Sequence, residues 1–421
     1  MEQFTRFLEM IDGWVWGVPL IVLILAVGIY LTIRLRGLQI RKLPKALKYM
    51  VHNEEDGEGE VTSFGALCTA LSATIGTGNI VGVATAIVAG GPGALFWMWM
   101  AALFGMATKF AEGVLAIKYR VLDETGHALG GPFYYIENGM GKQWKWLAKL
   151  FAFFGVGVGI LGIGTITQVN GIASAVNNFF DSNNAWTFQL FGKDYSYTVL
   201  IAAIIVTVCV ALVIIGGIQR IASVSQVIVP FMACIYVAFC VLLLIMNVTK
   251  IPAAFVLIIQ SAFGMRAVAG GALGAIILAM QKGIARGIFS NEAGLGSAPI
   301  AAAAAQTNEP VRQGLVSMTG TFIDTIVICT MTGFSIVLTG AYTQGLEGVA
   351  VTAYAFQSGL PFSAKVCEGI LMLCLIFFAF TTILGWDYYS ERCLEYLTGK
   401  HELTMKVYRW LYILAVFIGP F

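Results

Sequence analysis

Residues 72–80 read SATIGTGNI and place two glycines and an asparagine in the middle of an apolar run that covers about 61–88. About 20 apolar residues are enough to cross a bilayer as a helix, so this run predicts a membrane span. Each glycine costs a helix about 1 kcal/mol relative to alanine, which predicts an interruption half-way through the membrane. Backbone groups freed there cannot face lipid, and a bound ion or substrate can supply the partners that they need.

The composition of the whole chain agrees with a membrane protein. Of its 421 residues, 58% are apolar and only 11% are charged, and the mean hydropathy is +0.82. A soluble domain has about 45–50% apolar and about 25% charged residues. The net charge of +2 and the lack of basic stripes interleaved with aromatic residues exclude nucleic acid as a partner. We therefore predict an all-α polytopic protein of the cell membrane, surrounded by the lipid bilayer.

The apolar runs predict nine complete membrane spans and an incomplete tenth. The nine cover about 15–35, 61–88, 93–118, 147–178, 198–216, 221–247, 268–285, 314–341 and 363–388. The tenth starts near Val407 and reaches the end of the chain after 15 residues, at Phe421. We expect the last helix or helices to be truncated and one further C-terminal helix to follow.

The basic residues predict the orientation of these spans. Six Lys and Arg residues lie in the 34–48 connection, and short cytoplasmic connections carry an excess of Lys and Arg. We therefore place residues 36–60 in the cytoplasm and the N-terminus outside. Alternation of the spans then places 118–149, Arg220, 282–312 and 392–409 on the cytoplasmic side.

A second glycine-rich stretch, GGALGAI at 270–276, lies in the seventh apolar run. Paired interrupted spans in two halves of a chain are typical of inverted-repeat transporters, although small residues also allow close helix packing. Spans two to six are five in number, so a second unit that starts at span seven is inverted. We predict one transmembrane domain over 1–421, with an extra N-terminal helix at 15–35, a first repeat at 61–247 and an incomplete second repeat at 268–421.

Two stretches resemble one known family. GTGNIVGVATAIVAGGPGALFWMW at 76–99 and GIFSNEAGLGSAPIAAAAA at 287–305 are similar to the alanine or glycine:cation symporter family. The resemblance covers spans two to nine, and the second stretch is the more specific. It implies the LeuT-type fold, a 5+5 inverted repeat with one extra N-terminal helix. It also implies sodium-coupled symport of small neutral amino acids, alanine and glycine, into the cell by alternating access, and no enzyme activity.

The resemblance implies that the first interruption binds the carboxylate of the amino acid. Thr77 and Gly78, with Asn79 adjoining, follow the interruption, and exposed N–H groups at the start of a half-helix favour an anion. Gln168 in the fourth span is expected to face the same cavity. A hydrogen bond between helices is the alternative interpretation of Gln168.

The resemblance also implies that the second interruption binds the ammonium group. The carbonyl groups of Gly270, Gly271 and Leu273 are expected to accept its hydrogen bonds. Ile277 is expected to close a small side-chain pocket, with plain packing as the alternative. A small pocket rejects large side chains by steric clash, which suits alanine and glycine.

One sodium ion is implied between the second and ninth spans. Its expected ligands are the carbonyl oxygens of Ser72, Ile75 and Phe378 and the hydroxyl oxygens of Thr381 and Thr382. Adjacent hydroxyls in an apolar helix otherwise bond to carbonyls of their own helix. Neither glycine-rich stretch contains a carboxylate, so neutral oxygens must bind the cation, which favours sodium over a proton.

Intramembrane charges leave more than one function open, because such residues are functional by default. Asp324 in the eighth span can pair with a basic residue, line the cavity or carry a proton, so a proton-coupled transporter of the same fold is one alternative. Lys109 and Glu112 are three residues apart in the third span, which favours an ion pair on one helix face, with a gate as the alternative. A channel and a membrane-embedded enzyme are further functions to consider, although the sequence contains neither HExxH nor GxSxG.

Overall fold

The structure is a computed structural model and describes residues 2–15, 17–52, 54, 57–124, 126–190, 193–264, 271–399 and 401–421. Within these ranges, seven helices are long and apolar enough to cross a membrane, and one bent pair of helices, Ser63–Thr74 and Gly78–Gly90, adds an eighth span. The seven are Gly93–Lys118, Lys142–Phe180, Tyr197–Ile214, Gln219–Met246, Leu273–Asn291, Pro310–Thr339 and Ala364–Thr398. Together with the bent pair, these seven helices match the eight predicted spans two to nine in number and order, which confirms a multi-pass membrane protein.

The first and tenth predicted spans are shorter helices. They are Val18–Arg34 and Glu402–Ile418, each with 17 residues. Two of the long spans are not regular throughout. The fourth consists of Lys145–Leu161 and Ile166–Phe180, and the eighth of Pro310–Thr321, a π-helical stretch Phe322–Cys329 and Thr330–Thr339.

The connections contain short elements. The helices are Glu2–Val15, Leu38–Arg41, Leu43–Val51, Pro132–Tyr135, Ile251–Ala262 and Val349–Gly359, with 3₁₀ turns at Lys142–Trp144, Val248–Lys250 and Ala341–Thr343 and a π-helical turn at Ile136–Met140. Two antiparallel hairpins pair Val121–Leu122 with Ala128–Leu129 and Thr187–Leu190 with Lys193–Ser196. The membrane spans are therefore all helical, and the only strands in the described residues lie outside them.

The second span is broken where the sequence predicted. Its first helix ends at Thr74, a π-helical turn starts at Gly78, and the two halves meet at an angle of 55°. We call residues 75–77 the first break.

The seventh span is broken at a different place from the predicted one. Its helix is continuous from Ala272 to Asn291, so the stretch 271–276 forms the start of a regular helix. The chain then turns through Glu292, Gly294 and Gly296, all with positive φ, before a short helix Ala298–Ala302. We call residues 292–297 the second break. The prediction of an interruption at 270–276 is wrong for the described part of that stretch, and Gly270 lies outside the described residues.

Packing places the second break half-way along the neighbouring span. A Cβ atom built on Gly105, at the midpoint of the third span, would lie 2.9 Å from the Cβ of Ala293. A Cβ on Gly90, at the far end of the second span, would lie 3.1 Å from the Cβ of Lys282. Ala305, by contrast, pairs with Val61, which lies at the start of the second span. Residues 282–305 therefore run along the length of the protein, and the prediction that 282–312 lies on one side of the membrane is wrong.

Small residues allow the third span to pack tightly against the seventh and eighth. A Cβ on Gly283 would overlap the carbonyl oxygen of Ala94, and one on Gly314 would lie 2.7 Å from that of Phe110. Such close approach of two backbones is how small residues pack helices in a membrane. The glycine surplus therefore serves helix packing as well as the two breaks.

Four charged or polar side chains form an ionic cluster where the second span begins. The Glu60 carboxylate lies 2.8 Å from Arg392 and 3.2 Å from His127, and Glu395 lies 2.9 Å from both. Burial acts to raise the pKa of Glu60, but the hydrogen bond with His127 and the charge of Arg392 outweigh it and lower that pKa to about 2. The carboxylates of Glu395 and Glu60 raise the pKa of His127 above its ordinary 6.5. The cluster joins the start of the second span to the end of the ninth.

The raised pKa of His127 predicts that thermal stability falls as pH rises. A raised pKa means that protonated His127 stabilises the fold, fully at a pH below 6.5 and no longer above its folded-state pKa. We expect the apparent melting temperature of the purified protein to fall by roughly 1–3 °C as pH rises through this window. In His127→Gln the fall should be absent, and in the control His401→Gln, which removes an exposed histidine, it should remain. An identical pH profile in His127→Gln and the unmodified protein would contradict the prediction.

Candidate functional site

The first break frees two carbonyl groups. In a continuous helix the amide of Gly76 would donate to the carbonyl of Ser72, but it donates to Oδ1 of Asn79 at 2.9 Å. The amide of Asn79 donates to the carbonyl of Gly76 at 3.2 Å, and so does not serve the carbonyl of Ile75. The carbonyls of Ser72 and Ile75 thus lose their helical donors in the protein interior.

Hydrogen bonds join four of the five predicted sodium ligands, and the fifth, Ser72, lies one turn before Ile75. The hydroxyl of Thr382 donates to the carbonyl of Ile75 at 3.2 Å, across the two spans, and to that of Phe378 at 3.0 Å. The hydroxyl of Thr381 donates to the same Phe378 carbonyl at 3.0 Å. All five residues, Ser72 included, are buried. The bonds to Phe378 lie within the ninth span and agree with the alternative of local hydroxyl bonding. The bond to Ile75 joins the ninth span to the second, which that alternative does not include.

Two glycines allow the ninth span to lie against the first break. A Cβ on Gly385 would lie 2.7 Å from Oγ of Ser72, and one on Gly76 would lie 2.5 Å from Oγ1 of Thr382. Neither separation leaves room for a side chain. The oxygen cluster therefore depends on glycine at both positions.

Gln168 contacts the first break from the fourth span. Its Oε1 accepts the amide of Thr77 at 3.4 Å, and its Nε2 donates to the carbonyl of Ile163 at 3.0 Å. Ile163 lies in the irregular stretch that divides the fourth span. The first break is thus next to irregular backbone in a second span, and Gln168 bonds to both.

The residues of the seventh span that reach the first break are not the predicted ones. The ring of Phe289 lies 3.7 Å from a Cβ built on Gly78, and the hydroxyl of Ser290 accepts from Nδ2 of Asn79 at 3.1 Å. Leu273 is 17 residues before Ser290 on one helix, which corresponds to about 25 Å. The structure therefore does not bring Leu273 to the break.

The other predicted positions of the seventh span lie near Leu273. The carbonyl of Gly271 accepts the amide of Ala275 at 3.0 Å as a normal helical bond, so the prediction that it is free is wrong. Leu273 is 70% and Ile277 46% exposed, which does not agree with Ile277 closing a pocket. Freed backbone occurs instead at the second break, about twenty residues further along the chain.

A carboxylate from the third span holds the second break. Oε1 of Glu112 accepts the amide of Gly296 at 3.2 Å, and the hydroxyl of Ser297 donates to Glu292. Glu112 is buried, and its Oε2 has no hydrogen-bond partner among the described residues. The predicted ion pair of Glu112 with Lys109 is not seen within the same ranges. Glu112 instead satisfies backbone of the break.

Asp324 links the two broken spans. Its Oδ1 accepts Nδ2 of Asn79 at 2.7 Å, and its Oδ2 accepts the hydroxyls of Ser290 at 2.8 Å and Thr325 at 2.7 Å. The carbonyl of Asn79 accepts the hydroxyl of Thr332 at 2.8 Å. Asp324 is fully buried. Besides the three roles considered for Asp324, the structure shows a fourth, hydrogen bonding to the two spans that contain the breaks.

Two cavities meet at Phe289. One has a volume of about 340 Å³ and is lined by Thr85, Ala86, Ala89, Lys282, Ala285, Arg286 and Phe289. The other has a volume of about 280 Å³, and its lining includes Ile163, Phe289, Glu292, Ser297, Trp386 and Tyr389. The first cavity lies beside the second half of the second span and the other beside the second break, so Phe289 separates them.

Sequence reasoning missed Ser290, Glu292 and Phe289 as residues of this region. The signal was present, since SNEAGLGS at 290–297 places two glycines among polar residues between two apolar stretches. The glycine pair at 270 and 271 already supplies an interruption, so the sequence alone places SNEAGLGS in the connection after the span.

Comparison with known proteins gives one family. A family model described as the sodium:alanine symporter family matches residues 1–421. An uncharacterized transporter of Haemophilus influenzae is 56% identical, and the match covers 98% of this chain and 87% of that protein. The sodium/alanine symporter AgcS of Methanococcus maripaludis is 46% identical, over 99% of this chain and 88% of that protein. A probable sodium/glutamine symporter of Bacillus subtilis, GlnT, is 38% identical, over 97% of this chain and 81% of that protein.

Replacing Gly76 tests whether the first break depends on contact with the ninth span. A Cβ in Gly76→Ala would lie 2.5 Å from Oγ1 of Thr382 and 3.3 Å from Oε1 of Gln168. Overpacking of this kind costs about 1–3 kcal/mol, so we expect a lower apparent melting temperature. Gly82→Ala is the matched control in the same span, because its Cβ would meet no atom of the described residues within 4 Å. Equal melting temperatures for the two variants would show that the contact is not needed.

Proposed function

Because the chain belongs to the sodium:alanine symporter family, we propose that it takes up small neutral amino acids, alanine and glycine, by symport with sodium. This is a family of transporters and not of enzymes. The observation that carries the proposal is the bond between the Thr382 hydroxyl and the Ile75 carbonyl across the first break. It brings oxygen atoms of two spans together in a buried place where a cation can bind.

The oxygen cluster suits sodium. Carbonyl oxygens of unwound backbone bind the coupling ion in many transporters with broken helices, and hard cations prefer oxygen ligands. Ser72, Ile75, Phe378, Thr381 and Thr382 supply carbonyl and hydroxyl oxygens only. On binding, the ion would replace the hydroxyl protons as the partner of the carbonyl oxygens. It would also hold the second span against the ninth.

The substrate carboxylate is proposed to bind on the other side of the same break. The N–H group of Thr77 donates to Gln168 over a long distance of 3.4 Å, so a carboxylate can replace Gln168 as its acceptor. The N–H group of Gly78 is proposed to be the second donor. Asn79 is fully buried and bonded to Asp324, so it supports the site from behind. The Phe289 ring beside Gly78 limits the space for a side chain, which favours alanine and glycine.

The proposed cycle is alternating access in a LeuT-type 5+5 inverted repeat with one extra N-terminal helix. Two broken spans, the second and the seventh, stand five spans apart and meet at Asn79 and Ser290. The cavities on the two sides of Phe289 are suited to be the two access routes. Residues 36–60 are proposed to be cytoplasmic and the N-terminus to be outside.

Proton coupling through Asp324 is the second candidate function. The observation that favours it is a buried carboxylate in contact with both broken spans. Burial opposes the ionised form that its three hydrogen-bond donors favour, and the family that matches the chain is one of sodium symporters. Sodium coupling therefore remains the better supported function.

Uptake into proteoliposomes tests the proposed function directly. We expect an inward sodium gradient to drive accumulation of labelled alanine and glycine, and not of leucine or tryptophan. A proton gradient imposed in potassium buffer should drive none. Uptake that follows the proton gradient and ignores sodium would decide for the second candidate, and accumulation of leucine would contradict the small pocket.

Removal of one hydroxyl tests the sodium ligands. We expect Thr382→Ala to raise the sodium concentration for half-maximal alanine uptake about tenfold, equivalent to about 1.4 kcal/mol, and Thr381→Ala with Thr382→Ala to raise it further. Thr382→Ser keeps the hydroxyl and should restore most of the affinity. Thr398→Ala is the control, because its exposed hydroxyl on the same helix bonds, among the described residues, only to the Leu394 carbonyl. Undiminished sodium dependence in the double variant would refute the site.

A further inference from the structure

We propose that Asp324 is a positioning residue for the sodium site. Through Asn79, its carboxylate determines which way the amide of Gly76 points, and thereby keeps the Ser72 carbonyl available to the ion. This inference rests on the proposed function. It gives a role to the buried charge that contacts neither the ion ligands nor the N–H groups proposed for the substrate.

The first step is the orientation of Asn79. An ionised carboxylate can only accept hydrogen bonds, so the NH₂ group of Asn79 must face Asp324, and it does so at 2.7 Å. The hydroxyl of Ser290 accepts from the same NH₂ group at 3.1 Å and donates to Asp324 at 2.8 Å. All three side chains are buried. The side-chain amide of Asn79 therefore has one favourable orientation.

The second step follows from the planarity of the Asn79 side-chain amide. With its nitrogen directed to Asp324, its Oδ1 faces the amide of Gly76 and accepts from it at 2.9 Å. That bond replaces the helical bond from Gly76 to Ser72. The Ser72 carbonyl is then left for a cation, one turn before the Ile75 carbonyl that faces Thr382.

The same carboxylate connects the seventh span to this arrangement. Ser290 lies in the last turn before the second break, and Thr325 supplies a third donor to Asp324 at 2.7 Å. Charge-assisted hydrogen bonds are stronger than neutral ones, and a buried charge with three donors is expensive to disturb. A shift of either broken span relative to the eighth must therefore change the bonds that hold the first break open.

An asparagine at position 324 removes the constraint with almost no change of shape. The new amide offers both a donor and an acceptor, so Asn79 can turn over and direct its nitrogen to Gly76. The Gly76 N–H group then loses its fixed acceptor. For part of the time it has no partner, which exposes it to exchange, and for the rest it competes with sodium for the Ser72 carbonyl. The expected result is a weaker sodium site in a folded protein.

The experiment measures two quantities in full-length protein: the sodium concentration for half-maximal alanine uptake, and hydrogen–deuterium exchange of peptides covering residues 72–80. We expect Asp324→Asn to raise the sodium concentration for half-maximal uptake about tenfold, as for the loss of one charge-assisted hydrogen bond. It should also speed exchange in these peptides. Asn79→Ala should raise the same sodium concentration and speed the same exchange. If Asp324 acts through Asn79, the double variant should match Asn79→Ala, because residues in one network are not additive.

Controls separate positioning from general damage. Glu368→Gln removes a carboxylate that accepts from Gln357 at 2.9 Å near the start of the ninth span, and should change neither quantity. Asp324→Ser removes the carboxylate without adding an amide, and must show the same faster exchange if Asp324→Asn does not fold. Unchanged exchange and unchanged sodium dependence in Asp324→Asn, or additive effects in the double variant, would overturn the inference.

The exchange measurement also distinguishes this inference from the proposed function. Absence of sodium-dependent uptake in the unmodified protein would refute sodium symport. Exchange at residues 72–80 would still decide whether Asp324 holds the break, since it needs no transport. Faster exchange would support the positioning role, and unchanged exchange would refute it.

Discussion

Unwound backbone in the middle of a membrane must find polar partners, and the rest of this structure follows from that constraint. Lipid offers no hydrogen bonds, so each freed group at the two breaks needs a partner from its own span or from a neighbouring one. Asn79 supplies one for Gly76, and the ninth span supplies Thr382 for Ile75. At the second break the third span supplies Glu112 for Gly296. The spans around the breaks are thus positioned by what the breaks require.

This constraint also explains why the polar residues of such an apolar chain are concentrated in its interior. Asp324, Glu112, Gln168 and Asn79 are all buried. A charged group at this depth is costly unless it is hydrogen-bonded, and each carboxylate here accepts from the broken spans or from their flanking residues. The same bonds that satisfy the backbone therefore also connect the site that is proposed to bind sodium with the spans that are proposed to move.

The sequence predicted the spans and the first break well, because both depend on local properties. Run length and composition identify apolar helices, and two glycines beside an asparagine disfavour a helix wherever the chain places them. The second break was misplaced, because GGALGAI and SNEAGLGS are both glycine-rich and composition alone does not choose between them. In the structure the described part of GGALGAI forms the start of a regular helix. SNEAGLGS instead packs against Gly105 of the third span, and Glu112 of that span accepts a hydrogen bond from its backbone.

By itself the sequence determined a polytopic helical membrane protein, the order of its spans, the break at residues 75–77 and, through two specific stretches, its family. Only the tertiary structure decided which residues meet at the breaks. It excluded Leu273 and Ile277, brought in Phe289 and Ser290, and gave Asp324 three donors from three different segments. The physical reason is that helix formation depends on neighbours along the chain, whereas the partners of freed backbone and buried charge come from distant spans, and their identity depends on how those spans pack.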